Sequence, residues 1–271
     1  MLGHYTIGFI DSPLDLVDQM ALKSKLKNNE LTIGTWLSLA HPAIAEIMVK
    51  AGFDWVTIDL EHSVITVREA EEMIRIIDLG GSVPLVRLSA NDPIQIKRMM
   101  DAGARGVIVP MVNTQEDVNT AVLAVHYPEI GTRGVGLARA QGYGAAFEEN
   151  LAWLKNEVVI IVQIEHINAV ENIDAILSCN DVDGYIIGPY DLSASMGLNG
   201  QFDHPDVVAA LNKTRETGMA LKKPGGIHVV EPNPEELKSR IKEGFQFLAY
   251  SVDFRMLDVA CRVGIKIRDN L

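Results

Sequence analysis

The feature that most constrains this chain is a rhythm that begins near Leu31. Short β-branched runs alternate with amphipathic stretches of about 10 to 15 residues, the pattern of strand–helix units on a parallel sheet. The runs predict strands near Thr32–Leu39, Trp55–Asp59, Leu85–Leu88, Gly106–Met111, Val158–Glu165, Gly184–Gly188, Gly226–Val229 and Phe247–Val252. Between and after them the spacing predicts helices over Pro42–Lys50, Thr66–Leu79, Pro93–Asp101, Thr114–Val125, Ala169–Leu177, Pro205–Thr217, Pro234–Lys242 and Met256–Arg268. Several open on proline in the first turn, and the second carries early glutamates and ends at Gly80-Gly81, as helix-end physics favours. Eight such units favour a closed (β/α)8 barrel over an open doubly wound sheet. No G-x-G-x-x-G follows the first strand, which weakens the dinucleotide-binding alternative.

With 271 residues the chain has room for one barrel of about 250 residues. Residues 31–271 are assigned to it, and residues 1–30 to an N-terminal leader with a short strand over Tyr5–Ile10 and a helix over Leu14–Lys27. One connection stands out: Tyr127–Asn150, with five glycines, Arg133 and Arg139, is long for a loop between a helix and a strand and is expected to be functional.

The charge balance, 24 − 36 = −12, opposes attraction to nucleic-acid backbones and anionic lipid, and the densest basic stretch, Lys23–Lys27, lacks interleaved aromatics. Nucleic acid and membranes are therefore not expected as partners. The longest apolar run, Val158–Val162, is far below the roughly 18 residues that span a bilayer. Cys179 and Cys261 form no C-x-x-C or Cys/His cluster, and the N-terminus lacks the parts of a secretory signal, so a reducing, cytoplasmic location is expected.

In such a barrel the chemistry sits at the C-terminal strand ends, so the polar residues closing each run are the candidates. The second strand ends in Asp59, followed by Glu61 and His62; the third in Arg87; the fifth in Gln163 and Glu165; the sixth runs into Asp191 through GPYD. Glu165 and Asp191 fall on neighbouring strand ends, where two hard oxygen ligands suit Mg2+ or Mn2+ with water and substrate completing the shell. The structural alternatives are a salt bridge for Glu165 and a helix N-cap for Asp191. Arg87 suits a carboxylate or a developing oxyanion, or else a structural ion pair with Asp59 or Glu61. His62 is a candidate general base, because histidine as a residue type titrates near neutrality, against the alternative of a solvated loop histidine. The other histidines show no two-histidine metal spacing.

The segments GTWLSLAHPAIAEIMVKAGFDWVTIDLEHS, VPLVRLSANDPIQIKRMMDAGARGVIVPMV, YPEIGTRGVG, VQIEHINAVENI and DGYIIGPYDLSASMG resemble, in order and spacing, the HpcH/HpaI aldolase family. The resemblance runs from about Leu31 to Asp253. It implies a metal-dependent class II aldolase, on a phosphoenolpyruvate/pyruvate-type barrel, that cleaves a 4-hydroxy-2-oxo acid to pyruvate and an aldehyde. By resemblance, Glu165 and Asp191 bind a divalent ion (Mg2+, Mn2+ or Co2+), Arg87 steadies the carbonyl or enolate oxygen, and His62 with Asp101 forms the acid/base dyad. Asp59 and Glu61 take supporting places, Gln163 contacts the 2-oxo acid, and the turn Gly188-Pro189 precedes amides, at Tyr190 and Asp191, that receive the carboxylate. The family also implies an exchanged last helix and a dimer-based homo-oligomer, often a hexamer, with sites near subunit interfaces.

Lys97 and Lys155 do not fall at strand ends, in keeping with a metal route over an imine route. Tyr190 and Leu60 depart from the residues common in the family and bear on pocket size. Relatives with other chemistry keep open oxaloacetate decarboxylation and citrate-lyase-like cleavage. A barrel that binds a 2-oxo acid without turnover is a further alternative, although it would need the ligands and not the dyad.

Overall fold

A computed structural model of the chain describes residues 22–269. Eight strands, β1 (Thr32–Leu37), β2 (Trp55–Asp59), β3 (Val83–Arg87), β4 (Gly106–Val109), β5 (Val159–Ile164), β6 (Gly184–Ile187), β7 (Gly225–Val229) and β8 (Phe247–Val252), pair in parallel in chain order, and β8 closes on β1. The expected (β/α)8 barrel is present. Its outer helices are α2 (Pro42–Lys50), α3 (Val67–Leu79), α4 (Pro93–Ala102), α5 (Gln115–Val125), α6 (Phe147–Asn156), α7 (Ile167–Glu171), α8 (Ile173–Leu177), α9 (Pro189–Ser195), α10 (Pro205–Ala220), α11 (Pro234–Lys242) and α12 (Asp253–Asp269), with α1 (Leu22–Lys27) ahead of β1. Local chemistry sets many starts. Thr66 with Glu69, and Thr114 with Asp117, close capping boxes on α3 and α5, while Asp92 and Asn233 cap α4 and α11 ahead of their first-turn prolines.

Alternation along the strands makes two cores. Inward residues such as Trp55, Leu85, Ile108, Val159, Ile161, Ile186 and Phe247 fill the barrel, while Val56, Ile58, Val86, Val107, Ile160 and Leu248 pack outward beneath the helices. Trp55 stacks on Phe247 with ring centroids 4.1 Å apart. Only glycine fits at position 34, since a Cβ there would lie 1.9 Å from the Trp55 ring.

Three segments differ from the sequence-based expectations. The helix expected over Ala169–Leu177 is broken at Asn172, which leaves helical geometry and donates its side-chain amide to the Asn113 carbonyl at 2.9 Å. The long connection after α5 is not irregular throughout: it contains a 3-10 segment, Arg139–Gly144, and helix α6. It joins the end of α5 to the start of β5, which places it at the N-terminal end of the barrel, away from the strand ends where chemistry was expected. Arg139 anchors it through Asp78 at 2.6 Å, and Arg133, buried, lies 4.0 Å over the Tyr127 ring.

The third difference is the leader. Its described part, α1, inserts Leu22 and Leu26 into the inward-facing core. Lys23 reaches Asp183 at 3.0 Å and Lys25 reaches Asp54 at 2.7 Å, so two ion pairs fasten the helix over the N-terminal end of the barrel. The strand expected over Tyr5–Ile10 and the first part of the helix expected over Leu14–Lys27 lie outside the described residues. Leu26 is fully buried. Leu26→Ala is therefore expected to lower the unfolding free energy by about 2–5 kcal/mol, measured by urea denaturation, although α1 lies at the opposite end from the strand-end carboxylates.

Candidate active site

Inward positions change character along the strands, apolar at the N-terminal ends and polar at the C-terminal ends. Asp59 and Arg87 are register partners at the ends of β2 and β3. Arg87 donates from Nε to Asp59 Oδ1 at 2.9 Å and from Nη2 to Oδ2 at 2.7 Å, a bidentate fork. Its remaining nitrogen, Nη1, lies 3.3 Å from Glu61 Oε2. The structural ion pair anticipated as one reading of Arg87 is thus real, and it holds the guanidinium at the barrel mouth. Burial would raise the Asp59 pKa, but the hydrogen bond and charge of Arg87, with the backbone N–H groups of His62 and Glu61, hold it below the usual carboxylate range.

Opposite this pair stands Glu165, 3% exposed. It makes no ion pair with a described residue. Its Oε1 accepts from the Met111 N–H at 2.7 Å, and its Oε2 accepts from the Gln163 amide. Burial pushes its pKa up, the charge of Asp191 adds to that, and Gln163, Met111 and Arg87 pull the other way. Asp191 lies in the first turn of α9, but the N-cap is Gly188, so the capping role is not the one Asp191 fills. Gly188 is required by close approach. A Cβ there would lie 2.9 Å from Glu165 Cβ and 3.0 Å from Oε2. Pro189 opens α9, whose start has no side-chain cap, and Tyr190 is exposed with its ring edge-on to Phe202.

Asp59 and Glu61 pair with Arg87, Glu165 feels its charge, and the exposed Asp191 acts on Glu61 and Glu165, so the group carries a formal 1 − 4 = −3 when all are ionised. The electrostatics register the excess. Burial, reinforced by Glu165, Asp59 and Asp191 and opposed by Arg87, pushes Glu61 up to about 7, and its buried Oε2 makes no hydrogen bond. Among the described residues no three His, Cys, Asp or Glu side chains form a ready metal cage. Hard oxygen donors with surplus negative charge nonetheless fit a divalent cation whose shell is completed by water and substrate.

His62 follows on the loop after β2. Its side chain is 63% exposed, with Nε2 3.8 Å from Glu61 Oε2, and its N–H donates to Asp59 Oδ1 at 3.2 Å. Asp101 is not brought to it. It sits in the last turn of α4, at the other end of the barrel, where Arg133 and Lys97 are the charges it feels. Leu60 is buried beneath the helices and does not line the mouth.

Two residues given no role from the sequence stand beneath the site. The Arg87 guanidinium lies 4.3 Å over the Trp36 ring, and Trp36 packs at 5.6 Å on His228. Burial holds His228 down to about 4, so at neutral pH it is uncharged and donates from Nε2 to the Ser251 carbonyl, 3.1 Å away. The period-two pattern from Gly34 would have placed Trp36 inward; nothing in the sequence pairs it with Arg87.

The raised Glu61 pKa has a definite sign. The folded state holds a proton that the unfolded chain releases near 4.5, so stability falls as pH rises from about 4.5 to about 7. In chelator-treated protein this decline is expected to be about 1–3 kcal/mol. Glu61→Gln should flatten it, as read from urea midpoints across that range.

Known proteins resemble this chain in sequence and in fold. The HpcH/HpaI aldolase/citrate lyase family matches residues 32–258. The 4-hydroxy-2-oxo-heptane-1,7-dioate aldolase of Salmonella typhimurium is 38% identical over 254 residues, covering 91% of this chain and 95% of that protein. A crystal structure of an HpcH/HpaI aldolase/citrate lyase family protein from Burkholderia cenocepacia superposes with a TM-score of 0.86 at 31% identity, covering 92% and 98% of the two chains. That of an HpcH/HpaI aldolase from Desulfitobacterium hafniense gives 0.84 at 32% identity, covering 93% and 98%. The closed eight-stranded barrel and the match along nearly its whole length make this chain a member of the HpcH/HpaI aldolase/citrate lyase family, whose members work on carbon–carbon bonds.

Proposed function

We propose that this protein is a divalent-metal-dependent class II aldolase that reversibly cleaves a 4-hydroxy-2-oxo acid to pyruvate and an aldehyde. The observation that carries the reading is the gathering of Asp59, Glu61 and Glu165 about Arg87 at the C-terminal mouth of the barrel, with Asp191 near enough to act on Glu61 and Glu165. It is supported by a 38% identical relative that is a 4-hydroxy-2-oxo-heptane-1,7-dioate aldolase.

Glu165 and Asp191 would hold Mg2+, Mn2+ or Co2+. Such an ion supplies Lewis-acid polarisation of the 2-oxo group when bound. The chain's own residues do the rest. Arg87, locked by its fork to Asp59 and by the Trp36 ring beneath it, presents positive charge where oxyanion character develops. Gln163, with its amide on Glu165, stands beside the 2-oxo acid, and the first turn of α9 at Tyr190 and Asp191 offers N–H groups to the substrate carboxylate. His62 takes the C4 hydroxyl proton. The C3–C4 bond breaks, its electron pair passes to the pyruvate enolate, the aldehyde leaves, and protonation at C3 completes pyruvate. Tyr190, exposed at the mouth, is placed to limit the size of the aldehyde.

Asp101 enters the dyad only from a second copy of the chain, in keeping with its distance from its own His62 and with its buried Oδ1 lacking a hydrogen bond. A homo-oligomer, dimer-based and up to a hexamer, would supply that copy, and exposed Leu257, Val263 and Ile265 on α12 suit exchange of that helix with a neighbour. No helix among the described residues is long and apolar enough to cross a membrane, and both cysteines are free thiols, which supports a reducing cytoplasmic setting.

Pyruvate release, coupled to lactate dehydrogenase and measured on a panel of 4-hydroxy-2-oxo acids and oxaloacetate, tests the reaction. The expected result is turnover of a hydroxy-oxo acid that EDTA abolishes and Mg2+, Mn2+ or Co2+ restores. Turnover that survives chelation sinks the metal route, and oxaloacetate as the best substrate favours decarboxylation. Glu165→Gln and Asp191→Asn should lose the cation-dependent activity. Arg87→Lys should lose kcat by about a hundredfold, because an ammonium cannot reproduce the guanidinium fork. Mixing inactive His62→Ala and Asp101→Ala chains should restore activity at a fraction of sites; if no hybrid recovers activity, the shared dyad is wrong.

A further inference from the structure

At the N-terminal end of the barrel, opposite the aldolase site, a cavity of about 180 Å3 opens between the end of α10, the start of β7 and the turn into β8. Its lining includes Arg215, Lys222, Lys223, Tyr185, Gln246 and Asn29, and no carboxylate. In a chain of net charge −12, three cations line one cavity with no carboxylate among its lining residues, although Asp183 and Asp181, outside that lining, act on one of them, Lys223.

The cations are not equally committed. Lys223 is tied by Nζ to the carbonyls of Cys179 and Val182 and faces the charges of Asp183 and Asp181, so it is committed elsewhere. Arg215 makes one neutral contact, from Nη2 to Asn212 Oδ1 at 3.3 Å. Lys222 makes no ion pair with a described residue. Two full cationic groups are thus free to turn to a ligand.

Neutral donors complete the set. Gln246 accepts the Gly225 N–H at its Oε1, which leaves the amide N–H groups free. Tyr185, 1% exposed, passes between Gly218 and Gly225, where a Cβ would lie 2.5 Å and 2.6 Å from its hydroxyl oxygen. Its hydroxyl thus ends beside Gly225 on the cavity wall, with no hydrogen bond from a described residue. Two glycines make room for this hydroxyl, which is not among the sealed-off polar atoms and so is open to a ligand in the cavity. Burial pushes the phenol up to about 12, so it keeps its proton and can only be a donor to an anion at neutral pH.

We propose that this cavity binds a small tetrahedral oxyanion of the phosphate class, held by Arg215 and Lys222 with the Tyr185 hydroxyl and the Gln246 amide. Donors that approach from four different elements of the wall match four tetrahedral oxygens better than a planar carboxylate. The site is independent of the aldolase reading, since it shares no residue with it and lies at the other end of the strands.

Equilibrium dialysis of the full-length chain against radiolabelled inorganic phosphate tests it, with EDTA present so that no cation retains phosphate at the barrel mouth. The expected result is one saturable phosphate per chain, with a phosphate-dependent rise in Tm. Arg215→Gln should weaken binding by about tenfold or more, the loss of a charge-assisted contact. Tyr185→Phe should weaken it several-fold while the phosphate-free Tm stays at or above that of the unmutated chain, which separates a lost ligand contact from a damaged core. Absence of saturable uptake overturns the proposal, as does undiminished binding in both variants. Loss of binding in Arg87→Gln with retention in Arg215→Gln would place the phosphate at the barrel mouth instead. Tighter binding of malonate than of phosphate would overturn the tetrahedral assignment.

Discussion

The site depends on one interaction, the fork between Arg87 and Asp59. Both residues lie at inward positions of adjacent strands, in register, so the barrel's hydrogen-bond ladder itself sets their separation. The pair then organises what surrounds it. Asp59 also receives the N–H groups of Glu61 and His62 and so shapes the loop that carries both. Arg87 reaches Glu61 with its remaining nitrogen and rests on Trp36, which rests on an uncharged His228. A buried ion pair is not in itself strong support for a fold. Here its value is positional: a guanidinium held by Trp36 on one face and by Asp59 and Glu61 along its edges presents its charge without reorganisation.

The surplus of negative charge around that guanidinium is the counterpart. Glu165 and Glu61 both have raised pKa values, first because of burial, to which neighbouring carboxylates add: Asp191 for Glu165, and Glu165, Asp59 and Asp191 for Glu61. Gathering carboxylates in this way costs stability in the folded chain, a cost that a bound cation would relieve. The α1 helix and its two ion pairs close the opposite end of the same inward core. Chemistry and packing therefore occupy the two ends of one column of side chains.

Much of this was legible in the sequence for a physical reason. Strand alternation with period two, read from the apolar runs, carries Asp59, Arg87 and Gln163 to inward positions near strand ends, and Glu165 lies two residues beyond Gln163 on the same side. What failed to read clearly involved contacts distant along the chain. The break at Asn172 answers to Asn113, α6 begins just after a glycine-rich stretch that pattern reading treats as loop, and the described end of the leader is core only because the barrel end needs filling.

The sequence by itself determined the architecture and the residue types at the barrel mouth, because eight repeats of one local pattern admit few ways to bury their apolar faces. Only the tertiary structure decided how those residues act. It paired Arg87 with Asp59, set Trp36 beneath them, made Gly188 the capping position in place of Asp191, and separated Asp101 from His62 within one chain. Those outcomes follow from strand register and from the antiparallel return of each helix, which convert nearness in sequence into opposite ends of the barrel.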